Sequence, residues 1–111
     1  MEHLAGELES RRRFRARQNS PVLVVSETAL NDILPVVNVL PLTSRKLGRR
    51  IYPNEALLPG DTPGLTADSV VLCYQIRTLD KQRLSRLYGR LDDPARREEI
   101  LTALCFQLGI V

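Results

Sequence analysis

With 111 residues, the chain is long enough for one domain with a real core and too short for two. The apolar share of 43% is ordinary for a soluble globule, and the longest uncharged apolar runs fall far short of a membrane span, which argues against a membrane protein. The net charge of +3 is modest but unevenly spread: five arginines and no acid lie between Arg11 and Arg17, and Arg45, Lys46, Arg49 and Arg50 form a second cluster.

Residues 1–19 carry much charge and little apolar periodicity, so they are expected to form a poorly ordered basic arm ahead of a domain over 20–111. No apolar stretch follows the arginines as a secretory signal would require, and the expected location is cytoplasmic. Residues 21–25, Pro-Val-Leu-Val-Val, read as a strand buried on both faces. A turn or single helical turn follows, then a second β-branched strand over 34–40, closed by Thr43 and Ser44. The basic stretch 43–50 reads as a loop, and 51–58 as an edge strand because Pro53 cannot donate to a ladder. Residues 59–64 are dense in turn formers, and 69–76 reads as a fourth extended segment.

Two helices are predicted after that. Asp80 can cap a short one over 81–87, with Leu84 and Leu87 on one face and Gly89 ending it. Asp93 can cap a longer one with Pro94 at its first position and Gly109 as its C-terminal cap. There Ile100, Leu101, Leu104, Cys105 and Leu108 make one stripe. Strands first and helices last give an α+β domain, a twisted antiparallel sheet or small barrel with a C-terminal helix.

The chain has no glycine-rich phosphate loop and no His/Cys metal spacing, and its one histidine, His3, lies in the arm. Neither a cofactor nor a metal is expected. Cys73 and Cys105 sit in apolar segments and read as buried thiols in a reducing compartment. Two polar clusters remain. Thr43 and Ser44, followed by Arg45 and Lys46, could bind a phosphate through hydroxyls and charge, or could simply cap a turn. Gln75 and Arg77 would point the same way from an extended strand, toward a ligand or toward a neighbouring loop.

Several segments resemble the MazF/PemK family. These are Pro21-Val-Leu-Val-Val-Ser26, Val39-Leu-Pro-Leu-Thr-Ser44, Tyr52-Pro-Asn-Glu55, the long stretch Asp68-Ser-Val-Val-Leu-Cys-Tyr-Gln-Ile-Arg-Thr-Leu-Asp-Lys-Gln-Arg-Leu84, and the closing Ala103-Leu-Cys-Phe-Gln-Leu-Gly-Ile110. The resemblance covers roughly residues 21–111. It implies an SH3-like or CcdB-like β-fold with a C-terminal helix, assembled as a homodimer. It also implies the toxin of a type II toxin–antitoxin pair, a metal-independent endoribonuclease that cuts single-stranded mRNA. Its partners would then be single-stranded RNA, a cognate antitoxin and, through the antitoxin complex alone, operator DNA.

In that family a threonine closing the second strand and an arginine just before the Pro-Val strand serve catalysis. Thr43 matches the threonine, but Ser20 stands where the arginine is expected. Serine cannot stabilise a phosphorane by charge, and one such contact is commonly worth about 10²–10³ in rate. Tyr74 likewise stands where many members carry Asp, and a tyrosine with its ordinary pKa of about 10 is a poor base. The family's aromatic first strand has no counterpart in residues 1–19. Two expectations follow. Either Arg17 substitutes as the catalytic cation beside Thr43, or the chain is a catalytically degenerate binding module that keeps its antitoxin. Ser20, Ser44, Arg45, Lys46, Gln75 and Arg77 are the expected RNA-binding residues.

Overall fold

The computed structural model describes residues 7–9, 21–84 and 87–110. Arg17, Ser20 and the expected arm apart from residues 7–9 lie outside the described residues. Among these residues, the strands are β1 (Glu7–Glu9), β2 (Val22–Val24), β3 (Val36–Ser44), β4 (Glu55–Leu58), β5 (Ser69–Leu72), β6 (Arg77–Asp80) and β7 (Leu87–Arg90). The helices are α1 (Thr28–Ile33) and α2 (Pro94–Leu108).

The strands form one antiparallel sheet in the order β4-β5-β3-β2-β1-β7, with β6 also beside β3. The nine-residue β3 is its spine. Along one edge it pairs with β2, placing Val22 opposite Pro41 and Val24 opposite Val39. Along the other edge it pairs first with β6, Val36 opposite Asp80, and then with β5, Ser44 opposite Ser69. Of the two expected forms, barrel or twisted sheet, the described pairing is the open antiparallel one, with β4 and β7 at its ends.

The continuous apolar run of β2 suits its place. Leu23 and Val25 enter a cluster with Leu40, Leu42, Leu58, Val71, Cys73, Leu91, Ile100 and Leu104, on the side covered by α2. Val22 and Val24 enter a second cluster on the opposite face with Val37, Val39 and Leu79. Helix α2 begins as its sequence requires: the Asp93 carboxylate accepts from the Ala95 N–H, and Pro94 sits in the first turn. It ends on Gly109 at φ +74°, in the left-handed region. Its buried residues are Ile100, Ala103 and Leu104, whereas Leu108 at the end of the expected stripe is exposed.

Four local expectations are corrected. A first strand exists at Glu7–Glu9, within the segment expected to be an arm, and it separates β2 from the edge by pairing with both β2 and β7. The helix expected over 81–87 is a 3₁₀ turn at Lys81–Arg83 followed by β7. Asp80 does cap that turn, accepting from the Gln82 N–H, but Gly89 lies inside β7 and ends no helix. The edge strand expected over 51–58 is shorter, β4 starting only at Glu55. The extended segment expected over 69–76 breaks into β5 and a 3₁₀ turn at Cys73–Gln75. That break lets one chain segment pair with both halves of β3 as β5 and then β6.

Candidate functional site

The β3 end that carries the expected hydroxyls opens onto a groove of about 500 Å³ lined by Pro21, Ser44, Gly64, Leu65, Thr66, Ala67 and Ser69. Its walls come from separate elements held in register. The Leu42 N–H donates to the Pro21 carbonyl, the Arg45 N–H to the Asp68 carbonyl, and the Ser69 hydroxyl to the Ala67 carbonyl. The Gly60 N–H donates to the Asp68 carboxylate, tying down the loop behind the groove.

Thr43 and Ser44 are both exposed, but they are consecutive strand residues and open to opposite faces. Ser44 lines the groove. Thr43, opposite Val70, shares the face of Val39 and Pro41. The two hydroxyls therefore do not converge on one phosphate as a pair. Arg77 opposes Val39 and is exposed on the Thr43 face, about 13 Å away along β3 at ordinary strand rise. Gln75 lies in the 3₁₀ turn and is half-buried, so strand alternation does not align it with Arg77.

The basic loop is organised around Glu55, a residue expected in the edge strand and in the family-like Tyr52–Glu55 segment but given no role at the site. Its side chain is 4% exposed, and both carboxylate oxygens accept from Arg49, from Nη1 and Nη2 at 2.9 Å. The Tyr52 N–H adds a third bond to the same carboxylate at 3.1 Å. The hydrogen bonds from Arg49, followed by the Tyr52 N–H and the Arg49 charge, hold the Glu55 carboxyl below its ordinary range against the opposing effect of burial. Arg45 is drawn into the same assembly, its Nε and Nη2 donating to the Arg49 carbonyl at 3.1 and 2.8 Å. Lys46 and Arg50 are exposed, and the Arg50 guanidinium stands 5.3 Å from the centre of the Tyr52 ring. Glu55 had one sequence signal: it is the sole carboxylate between Asp32 and Asp61, in a stretch with four cations.

Cys73 is buried, and that burial, with the Glu55 carboxylate as a smaller cause, pushes its thiol up to about 12. Cys105 is only half-buried, so the expectation of two buried thiols holds for the first alone. Among the described residues no group of His, Cys, Asp and Glu is placed to hold a metal ion, and no helix is long and apolar enough to cross a membrane.

Fold and site together define a small α+β domain that sets a hydroxyl-lined groove beside a cation-rich loop. Residues 8–108 match the family model of the PemK-like, MazF-like toxins of type II toxin–antitoxin systems, and the chain belongs to that family. It is similar to the endoribonuclease EndoA of Bacillus subtilis, 36% identical over 91 residues, spanning 82% of this chain and 77% of that protein. A mycobacterial endoribonuclease solved in complex with its cognate antitoxin superimposes at a TM-score of 0.80 with 30% identity, covering 97% of this chain and 96% of that one. A MazE–MazF structure from Deinococcus radiodurans gives 0.73 and 30%, covering 95% and 94%.

Proposed function

We propose that this protein is the toxin of a type II toxin–antitoxin pair and cuts single-stranded mRNA without a metal. The observation that carries this reading is the match to the toxin family over 8–108, together with 36% identity to an endoribonuclease. In the reaction, the RNA 2′-hydroxyl loses its proton and its oxygen bonds to the adjacent phosphorus. The bond to the 5′-oxygen then breaks, leaving a 2′,3′-cyclic phosphate and a 5′-hydroxyl that takes up a proton. This requires a base, an acid and a cation over the charge that builds on phosphorus.

Thr43 and Arg17 are the proposed catalytic residues, with Ser20, Ser44, Arg45, Lys46, Gln75 and Arg77 on the RNA path. Ser20, in the position where the family resemblance implies arginine, makes this a slow nuclease. The partners are a cognate antitoxin and a second copy of this chain, with operator DNA reached only through the antitoxin complex. Relatives solved with an antitoxin or as MazE–MazF support the antitoxin.

The test is cleavage of a long single-stranded RNA by the unmodified chain and by the Thr43→Ala, Arg17→Ala and Ser20→Arg variants. Slow cutting that Thr43→Ala and Arg17→Ala abolish, and that Ser20→Arg accelerates by about 10²–10³, is the expected pattern. A parent chain that cuts nothing, yet captures an acidic antitoxin, replaces the nuclease with the binding module.

A further inference from the structure

We propose that the cations of the 45–50 loop are divided in labour: Arg49 is a positioning residue locked to the buried Glu55 carboxylate, while Lys46 and Arg50 are the cations that meet RNA phosphates. The proposal rests on the RNA-binding reading above. Glu55 is almost wholly withdrawn from water, and a buried carboxylate is tolerated only when paired and hydrogen-bonded. Arg49 supplies that pairing with two nitrogens, and its Nη1 also donates to the Arg50 carbonyl at 2.9 Å. Lending Arg49 to a phosphate would strand the carboxylate. Three hydrogen bonds of the guanidinium, two of them to the buried carboxylate, are therefore committed before any ligand arrives.

That engagement shapes the rest of the loop. The Arg49 carbonyl holds Arg45, the Arg50 carbonyl is held by Arg49, and the Tyr52 N–H is held by Glu55. Arg50 and Tyr52 are thus fixed at both backbone positions, and the Arg50 side chain, exposed, lies over the Tyr52 ring. A cation already oriented loses less freedom when it binds an anion than one that must be ordered on contact. Lys46, also exposed, lies on the same loop. Tyr74 follows the strand that pairs Leu72 with Glu55, which places a half-exposed phenol at the same end of the sheet.

The experiment measures binding of a fluorescently labelled single-stranded RNA with 2′-O-methyl sugars, which cannot be cut, across a series of salt concentrations. For single strands the logarithmic slope changes by about 0.7 for each phosphate contact. Lys46→Gln and Arg50→Gln should each lower the slope by about 0.7, and the paired Arg49→Gln, Glu55→Gln variant should leave it unchanged. Glu55→Gln alone should steepen it by about 0.7, because it releases Arg49 to solvent. In a cleavage assay Glu55→Gln should lower KM, the released Arg49 adding a phosphate contact, with kcat little changed, a split that mere loss of stability would not produce.

A paired variant with a slope lowered as much as that of Arg50→Gln overturns the division, as does Glu55→Gln without effect on slope. If the paired variant fails to fold, the exposed Lys46 and Arg50 variants decide, and unchanged slopes in both overturn it. An unmodified chain that binds no RNA at any salt concentration sinks the RNA-binding reading itself, a different result from equal contributions by all the cations.

Discussion

Glu55 ties stability to pH. Arg49 and the Tyr52 N–H hold its carboxyl below the ordinary value of 4.5 in the folded chain, whereas the unfolded chain titrates near that value. As pH falls through the ordinary carboxylate range, the unfolded chain therefore takes up protons that the folded chain refuses. The stabilisation is complete above the ordinary value and is lost as pH drops through the depressed one. Thermal unfolding from about pH 7 to about pH 3 should show a steeper acid loss for the unmodified chain than for Glu55→Gln. Parallel curves would mean that the pair contributes nothing. Cys73 carries a second residue-scale expectation. A thiol at about 12 holds almost no thiolate at neutral pH, so alkylation of the native protein should label Cys105 first and Cys73 only on unfolding. Neither feature can be read from composition. The Arg49–Glu55 pair needs the turn between them to bring positions six apart face to face, and no periodic rule anticipates that spacing.

At the scale of elements, legibility followed locality. Helix α2 was readable to both ends because Asp93, Pro94 and Gly109 act through their own neighbours. Substituting Asp93 by Ala should cost about 1 kcal/mol in denaturant unfolding, since one N–H of the first turn loses its acceptor. The segment 81–87 misled for the opposite reason. Leu84 and Leu87 have helical spacing, but the chain turns once and then pairs as β7 with β1, a partner far away in sequence. Gly89 records that pairing: a Cβ there would stand 2.6 Å from the Pro63 carbonyl oxygen, where backbone has to give way. Gly89→Ala should therefore destabilise the fold by about 1–3 kcal/mol, the usual cost of overpacking, whereas a helix-ending glycine beyond the last turn would tolerate the change. Urea unfolding separates the two. The same dependence on distant partners explains why three residues at Glu7–Glu9, two of them acids, make a strand that propensity alone does not predict.

Across the whole molecule, β2 couples the two hydrophobic clusters, sending Leu23 into one and Val24 into the other. Neither face can loosen alone without breaking the ladder that both share, so unfolding should be one cooperative transition. Ile100→Ala, which removes a fully buried side chain between α2 and the sheet, should lower stability by about 2–5 kcal/mol while keeping a single transition. Yet the single chain leaves considerable apolar surface uncovered. Helix α1 buries none of its residues, and Leu30, Ile33, Leu34 and Val36 are exposed together, as are Phe106, Leu108 and Ile110 at the far end of α2. Contiguous surface of that kind on a small domain marks association. If a second copy covers part of it, as proposed, assembly stabilises the folded state by mass action and Tm climbs with protein concentration. Thermal unfolding over a hundredfold dilution, with sedimentation at the same concentrations, should give a falling Tm as the dimer dissociates. A Tm independent of concentration, with monomer alone in the sedimentation profile, would reject the homodimer and leave the apolar surface to the antitoxin.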